Sequence, residues 1–224
     1  MQMIFYVENN TTVKEKNIFD TLKDIKIIPV VALEDTSSAP PLGEILINNH
    51  LPCAEITFRT EAAVKIIETL KKQFPEMLIG AGTVLHIDQA KQAADAGASF
   101  FVSPGFDPKL VEFCLMHEYP VIPGVATASE IQVAYAAGLR VLKFFPATLL
   151  GGVKMIKALT APFQKLRFVP TGGISKENIR EFLACDSVLA CGGTWLVKKD
   201  LLEQKNFDAV NELVAEAVDL VHRT

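Results

Sequence analysis

Five short stretches of this 224-residue chain carry side chains able to do chemistry. The one with the sharpest chemical meaning is Val141-Leu142-Lys143-Phe144-Phe145-Pro146. In a strand, alternation sets Val141, Lys143 and Phe145 on one face. A lysine enclosed by apolar side chains loses hydration, and lost hydration favours the neutral amine over the ammonium. A neutral buried amine is the nucleophile that condenses with ketones to give Schiff bases. The alternative is a lysine near a strand end whose stem is buried and whose charge reaches water.

In Cys53-Ala54-Glu55-Ile56-Thr57-Phe58-Arg59-Thr60 the same alternation puts Glu55, Thr57 and Arg59 on one face, opposite Ala54, Ile56 and Phe58. A buried carboxylate there is a candidate general acid or base, and Arg59 offers a fork for a substrate carboxylate. The competing reading is a structural Glu–Arg ion pair. Ile79-Gly80-Ala81-Gly82-Thr83 combines small residues with a hydroxyl, a weak signal alone. Twin glycines in Pro170-Thr171-Gly172-Gly173-Ile174-Ser175 and Ala190-Cys191-Gly192-Gly193-Thr194-Trp195 say more. Glycine lets backbone N–H groups close on an anion, so both stretches suit a phosphate; tight turns with no ligand are the alternative.

Each of these stretches ends a β-rich run. Strands are expected at 27–33, 53–58, 78–82, 100–103, 120–122, 140–145, 167–170 and 188–191. Between them apolar residues recur at helical spacing, as in Ala63, Ile66, Ile67 and Leu70, or Phe207, Val210, Leu213, Val214, Ala217 and Val221. Thr127 with Glu130 reads as a capping box, Asp107-Pro108 as a helix start, and Gly97 and Gly138 as helix stops. Eight strand–helix units in one chain without a linker predict a single-domain α/β (β/α)8 TIM barrel, residues 17–224, whose functional groups gather at the C-terminal strand ends. An open doubly wound sheet would carry a glycine-rich turn after its first strand, where this chain has Leu33-Glu34-Asp35-Thr36. Residues 1–16 stand outside the pattern as an N-terminal arm, followed by a helix near Asn17–Asp24.

Composition narrows the partners. Twenty-two basic against 26 acidic residues leave a net charge of −4, which argues against a nucleic-acid footprint. The four cysteines are widely spaced in apolar stretches and read as reduced core thiols of a cytoplasmic protein. The four histidines show no ligand spacing, so no metal is expected. The N-terminus lacks the basic start of a signal peptide, and no apolar run approaches the roughly 18 residues of a membrane span.

Taken together, Ile28-Pro29-Val30, Glu55-x-Thr57-x-Arg59-Thr60, Gly80-Ala81-Gly82-Thr83, Ser103-Pro104-Gly105, Ile122-Pro123-Gly124, Lys143-Phe144-Phe145-Pro146-Ala147, Pro170-Thr171-Gly172-Gly173-Ile174 and Gly192-Gly193-x-Trp195-Leu196 resemble the 2-keto-3-deoxy-6-phosphogluconate (KDPG) and 4-hydroxy-2-oxoglutarate (KHG) aldolases. The resemblance implies a homotrimeric class I aldolase with no cofactor and no metal. Its substrate would be a 2-keto-3-deoxy phospho sugar acid, cleaved to pyruvate and glyceraldehyde 3-phosphate. It implies Lys143 as Schiff-base lysine, Glu55 as general acid/base, and Arg59 and Thr83 on the substrate carboxylate. Thr171, Phe145 and Pro104 would shape the pocket, and Gly172, Gly173, Gly192, Gly193 and Thr194 would hold the phosphate. The family's usual residue at position 194 is serine; threonine keeps the hydroxyl. Other sugar-phosphate enzymes, or a binding protein, could use the same loops without a covalent adduct.

Overall fold

The computed structural model of the protein describes residues 13–222. Along them run α1 (Val13–Ile25), β1 (Ile27–Val31), α2 (Ala39–Asn48), β2 (Cys53–Thr57), α3 (Ala63–Gln73), β3 (Leu78–Gly82), α4 (Ile87–Asp95), β4 (Phe100–Val102), α5 (Pro108–Met116), β5 (Val121–Ile122), β6 (Gly124–Val125), α6 (Ala128–Ala136), β7 (Val141–Phe144), α7 (Gly152–Thr160), β8 (Arg167–Pro170), α8 (Ile179–Leu183), β9 (Cys191–Gly193), α9 (Lys199–Glu203) and α10 (Phe207–His222). Helix α1 takes in residues 13–16, which the sequence assigns to the arm; residues 1–12 lie outside the described part.

All strand pairs are parallel, and the strands form a six-stranded sheet in the order β5-β4-β3-β2-β1-β9 and a three-stranded sheet, β6-β7-β8. Every residue of β1, β2, β4 and β7 is buried, the mark of parallel strands covered on both faces. Phe100, Phe101, Phe144 and Phe168 are among the largest fully buried side chains, and the rings of Phe144 and Phe168 meet at 5.7 Å. The helices lay their apolar stripes against this sheet layer: Ala63, Ile66, Ile67 and Leu70 of α3 are all buried, as are Val210, Val214, Ala217 and Val221 of α10. Each fully buried aliphatic or aromatic side chain contributes about 1.5–3 kcal/mol.

The punctuation falls where the sequence places it. Thr127 and Glu130 form a reciprocal capping box on α6, and the Asp107 carboxylate accepts from the Lys109 N–H at the start of α5. Gly97 and Gly138 take the left-handed conformation expected after α4 and α6, with φ of 95° and 90°.

Several strand bounds differ from expectation: β1, β4 and β7 end at Val31, Val102 and Phe144, short of the expected 33, 103 and 145, and β7 begins at Val141. The expected fifth strand, 120–122, is β5, and a second short strand, β6, follows it beyond Pro123, which has no N–H to give a ladder. Its carbonyl still accepts from the Lys143 N–H at 2.9 Å, which ties the interruption to β7. The second strand stops at Thr57, short of Phe58. The last strand begins at Cys191 instead of ending there: Cys191, Gly192 and Gly193 pair with Ile27, Ile28 and Pro29 of β1. Gly192 and Gly193 are therefore buried strand residues, not loop residues. Upstream, Val188 forms an isolated parallel bridge to Phe168, and Thr171 forms another to Gly192.

Candidate active site

Lysine 143 sits in the middle of β7, opposite Gly124 of β6 on one side and Val169 of β8 on the other. Glu55 holds the matching place in β2, opposite Val30 of β1 and Gly80 of β3. The two strands belong to different sheets, yet the side chains meet: Lys143 Nζ donates to Glu55 Oε1 at 3.4 Å, with the residues 5% and 1% exposed. The two sheets therefore curl toward a shared interior in which an amine faces a carboxylate. At 3.4 Å the contact is longer than the roughly 2.7–2.9 Å of a tight charge-assisted bond. It brings the two groups together without locking them.

The surroundings are small and apolar. Gly82 ends β3 in register with Thr57, and a Cβ there would fall onto the Glu55 carboxylate, so glycine is what admits that side chain. Gly124 does the same for the Pro104 carbonyl, bringing the half-buried Pro104 beside the strand position that faces Lys143. The Phe145 ring lies with its centroid 5.5 Å from Lys143 Nζ, and Gly172 packs against the same ring. The Thr57 hydroxyl donates to the Val31 carbonyl at 2.9 Å, tying β2 to β1 at their C-terminal ends, just beyond Glu55.

Thr83 follows directly after β3 with φ of 56°, a conformation that costs a β-branched residue about 1–3 kcal/mol. The backbone holds it there partly through the Val84 N–H, which donates to Val102. Thr171 is 7% exposed and its hydroxyl has no partner among the described residues, although it lies against Gly192. A buried hydroxyl without a bond is a donor and acceptor in waiting. Gly172 and Gly173 carry φ of 92° and 78°, and Thr194 is exposed just past β9.

Arg59 is not brought to the pair. It lies two residues beyond the end of β2, where strand alternation no longer governs its direction. It is exposed and lines a cavity of about 340 Å³ with Phe58, Thr60, His86 and Gln89, a lining that includes neither Glu55 nor Lys143. Trp195 was not singled out as a site residue from sequence, yet its indole N–H is buried without a partner among the described residues and the ring edge packs on Gly193. Its place two residues after the second glycine pair was the available signal.

Among the described residues no group of three or more His, Cys, Asp and Glu side chains is placed to hold a metal ion, and no helix is long and apolar enough to cross a membrane. The thiols of Cys53 and Cys191 are pushed far up by burial, the Glu55 charge adding to the effect at Cys53.

Comparison with known proteins gives this geometry a context. The family model for KDPG and KHG aldolase matches residues 18–213. The chain is 46% identical over 204 residues to a 2-dehydro-3-deoxy-phosphogluconate aldolase of Treponema pallidum, covering 91% of this chain and 97% of the relative. Among solved structures it resembles the KDPG aldolase of Legionella pneumophila with pyruvate captured as a covalent carbinolamine, at TM-score 0.86, 37% identity and coverage of 92% and 98%. It also resembles the Zymomonas mobilis KDPG aldolase with 3-phosphoglycerate, at TM-score 0.83, 33% identity and coverage of 90% and 95%. On the extent of these matches, the chain belongs to the KDPG and KHG aldolase family.

Proposed function

We propose that this chain is a class I aldolase that cleaves 2-keto-3-deoxy-6-phosphogluconate to pyruvate and glyceraldehyde 3-phosphate, and 4-hydroxy-2-oxoglutarate to pyruvate and glyoxylate. The observation that carries the reading is the buried meeting of Lys143 and Glu55 across two sheets. Lys143 Nζ adds to the C2 ketone to give a carbinolamine, and loss of water leaves an iminium. Glu55, directly or through a water, takes the proton of the C4 hydroxyl. The C3–C4 electron pair moves into the iminium, so the aldehyde departs and an enamine remains. Glu55 then returns a proton to C3, and water releases pyruvate and the free lysine. One carboxylate serves both transfers because it is alternately protonated and deprotonated.

Around this pair, Thr83 and Arg59 hold the keto acid's carboxylate, Arg59 by swinging its exposed side chain in from the adjoining cavity. Thr171, Phe145 and Pro104 bound the pocket. Gly172, Gly173, Gly192, Gly193 and Thr194 take the phosphate. The carbinolamine in the Legionella relative supports the covalent route, and the 3-phosphoglycerate of the Zymomonas relative supports a site for a phosphorylated acid. The two sheets act as one barrel, closed where Pro123 joins β5 to β6 and where the Phe168–Val188 and Thr171–Gly192 bridges join β8 to the last unit. A cytoplasmic homotrimer is the form expected from the resemblance, and the exposed Leu149 and Met116 are candidates for its contacts.

The test is chemical trapping. Incubation with pyruvate and borohydride should leave a reduced three-carbon adduct on Lys143, located by peptide mass spectrometry. An unmodified Lys143, or label spread over surface lysines, would remove it from the mechanism.

A further inference from the structure

The carbonyls of the first glycine pair are held by side chains from outside it. The Gly172 carbonyl accepts twice from Thr148 in the loop after β7, from its N–H at 3.1 Å and its hydroxyl at 3.2 Å. The Gly173 carbonyl accepts from Asn178 Nδ2 at 2.8 Å, and Asn178 Oδ1 in turn accepts from the Ser175 N–H at 2.9 Å. A trans peptide points its N–H opposite its C=O. Fixing the Gly172 carbonyl on Thr148 therefore aims the Gly173 N–H away from Thr148. Fixing the Gly173 carbonyl on Asn178 aims the Ile174 N–H away from Asn178. Neither of these N–H groups makes a hydrogen bond among the described residues. Gly173 is also packed so tightly on Thr148 that a Cβ would strike the hydroxyl. Two successive peptides, turned by side chains and left with unclaimed donors, form an anion cradle.

We propose that Thr148 and Asn178 are positioning residues for substrate phosphate: they touch neither substrate nor the reacting atoms, and they orient the N–H groups of Gly173 and Ile174 toward the anion. This rests on the phosphate reading given above and names the residues that make it work.

Thr148→Val keeps the side-chain shape and removes the hydroxyl donor. Asn178→Asp keeps the acceptor for Ser175 and removes the donor to Gly173. Each substitution is expected to raise both KM for 2-keto-3-deoxy-6-phosphogluconate and the inhibition constant of inorganic phosphate by roughly two- to tenfold, the worth of one hydrogen bond. Both kcat and borohydride trapping of pyruvate should stay near the parent's, and Thr148→Ser, which keeps the donor, should restore both constants. If inorganic phosphate competes in the parent and equally well in both variants, the positioning role is overturned while the phosphate site stands. If inorganic phosphate does not compete in the parent, the phosphate reading fails and this inference with it. A parallel fall in kcat and trapping, or a KM rise shared by Thr148→Ser, marks a general structural role and also overturns it.

Discussion

Replacing Gly82 by alanine puts a single methyl group against the Glu55 carboxylate. The added Cβ would lie 2.5 Å from Glu55 Cγ and 2.8 Å from Cδ, and closer still to Oε1. Carbon atoms rest about 3.5–4.0 Å apart, so one partner must retreat by roughly 1 Å. The backbones cannot easily do so: Thr57 and Gly82 are paired, and the Gly82 carbonyl accepts from the Phe58 N–H at 2.8 Å. The displacement then falls on the Glu55 side chain, whose contact with Lys143 is already 3.4 Å long. A misplacement of about 1 Å in a reacting group costs on the order of 10²-fold in rate. Overpacking adds a stability cost of about 1–3 kcal/mol. For a chain of this size that lowers Tm by roughly 2 to 12 °C. The assay is pyruvate release from 2-keto-3-deoxy-6-phosphogluconate, with borohydride trapping alongside to follow the condensation proposed for Lys143. A Gly82→Ala protein with parental turnover and parental Tm would refute both the placement of the carboxylate and its part in proton transfer.

Three further outcomes follow from groups outside the site. Hydrogen bonds from the Ala126 N–H above all, and from Thr127, hold the Glu130 carboxyl below the usual carboxylate range. A depressed folded-state value means stability that is present above the ordinary carboxylate pKa and lost as pH falls through the folded one. Thr127→Ala should cost about 1 kcal/mol at neutral pH. Glu130→Gln should melt earlier than the parent at neutral pH and approach it in acid; a gap independent of pH would contradict the assignment. Burial pushes the Cys114 thiol up to about 12 and drives Cys53 and Cys191 higher still. Native protein should therefore leave these three unmodified by a thiol reagent at pH 8, with all four cysteines reacting on denaturation. Rapid labelling of Cys53 in the native state would show that the interior is not as closed as described.

The inward direction of Lys143 and of Glu55 was legible because strand alternation is a local rule; their meeting was not. Each residue sits mid-strand with apolar neighbours, and the fold needed only to set the strands face to face. The capping box and the two glycine stops were legible for the same reason, since each is settled within one turn of chain. Arg59 was not, because alternation ends with the strand, and where β2 ends depends on its ladder with β1 and β3. The register of β9 was hidden too: Gly192 and Gly193 have no side chains to show which face is inward, so pairing with β1 decides. Thr148 and Asn178 gave no signal, since each matters only through a carbonyl that another loop, or a neighbouring turn, brings within reach.

The amine and the carboxylate are carried by separate sheets, neither of which contains both. On the proposed mechanism each sheet alone would be chemically inert, and the encounter would depend on the chain connection at Pro123 and on the Phe168–Val188 bridge. Strain or heat that parts the sheets at those points by an ångström or so would silence the enzyme while most helices still stood. Tight seams are thus as much a requirement for turnover as the reactive groups, and sequence drift there would be policed by metabolism as well as by folding.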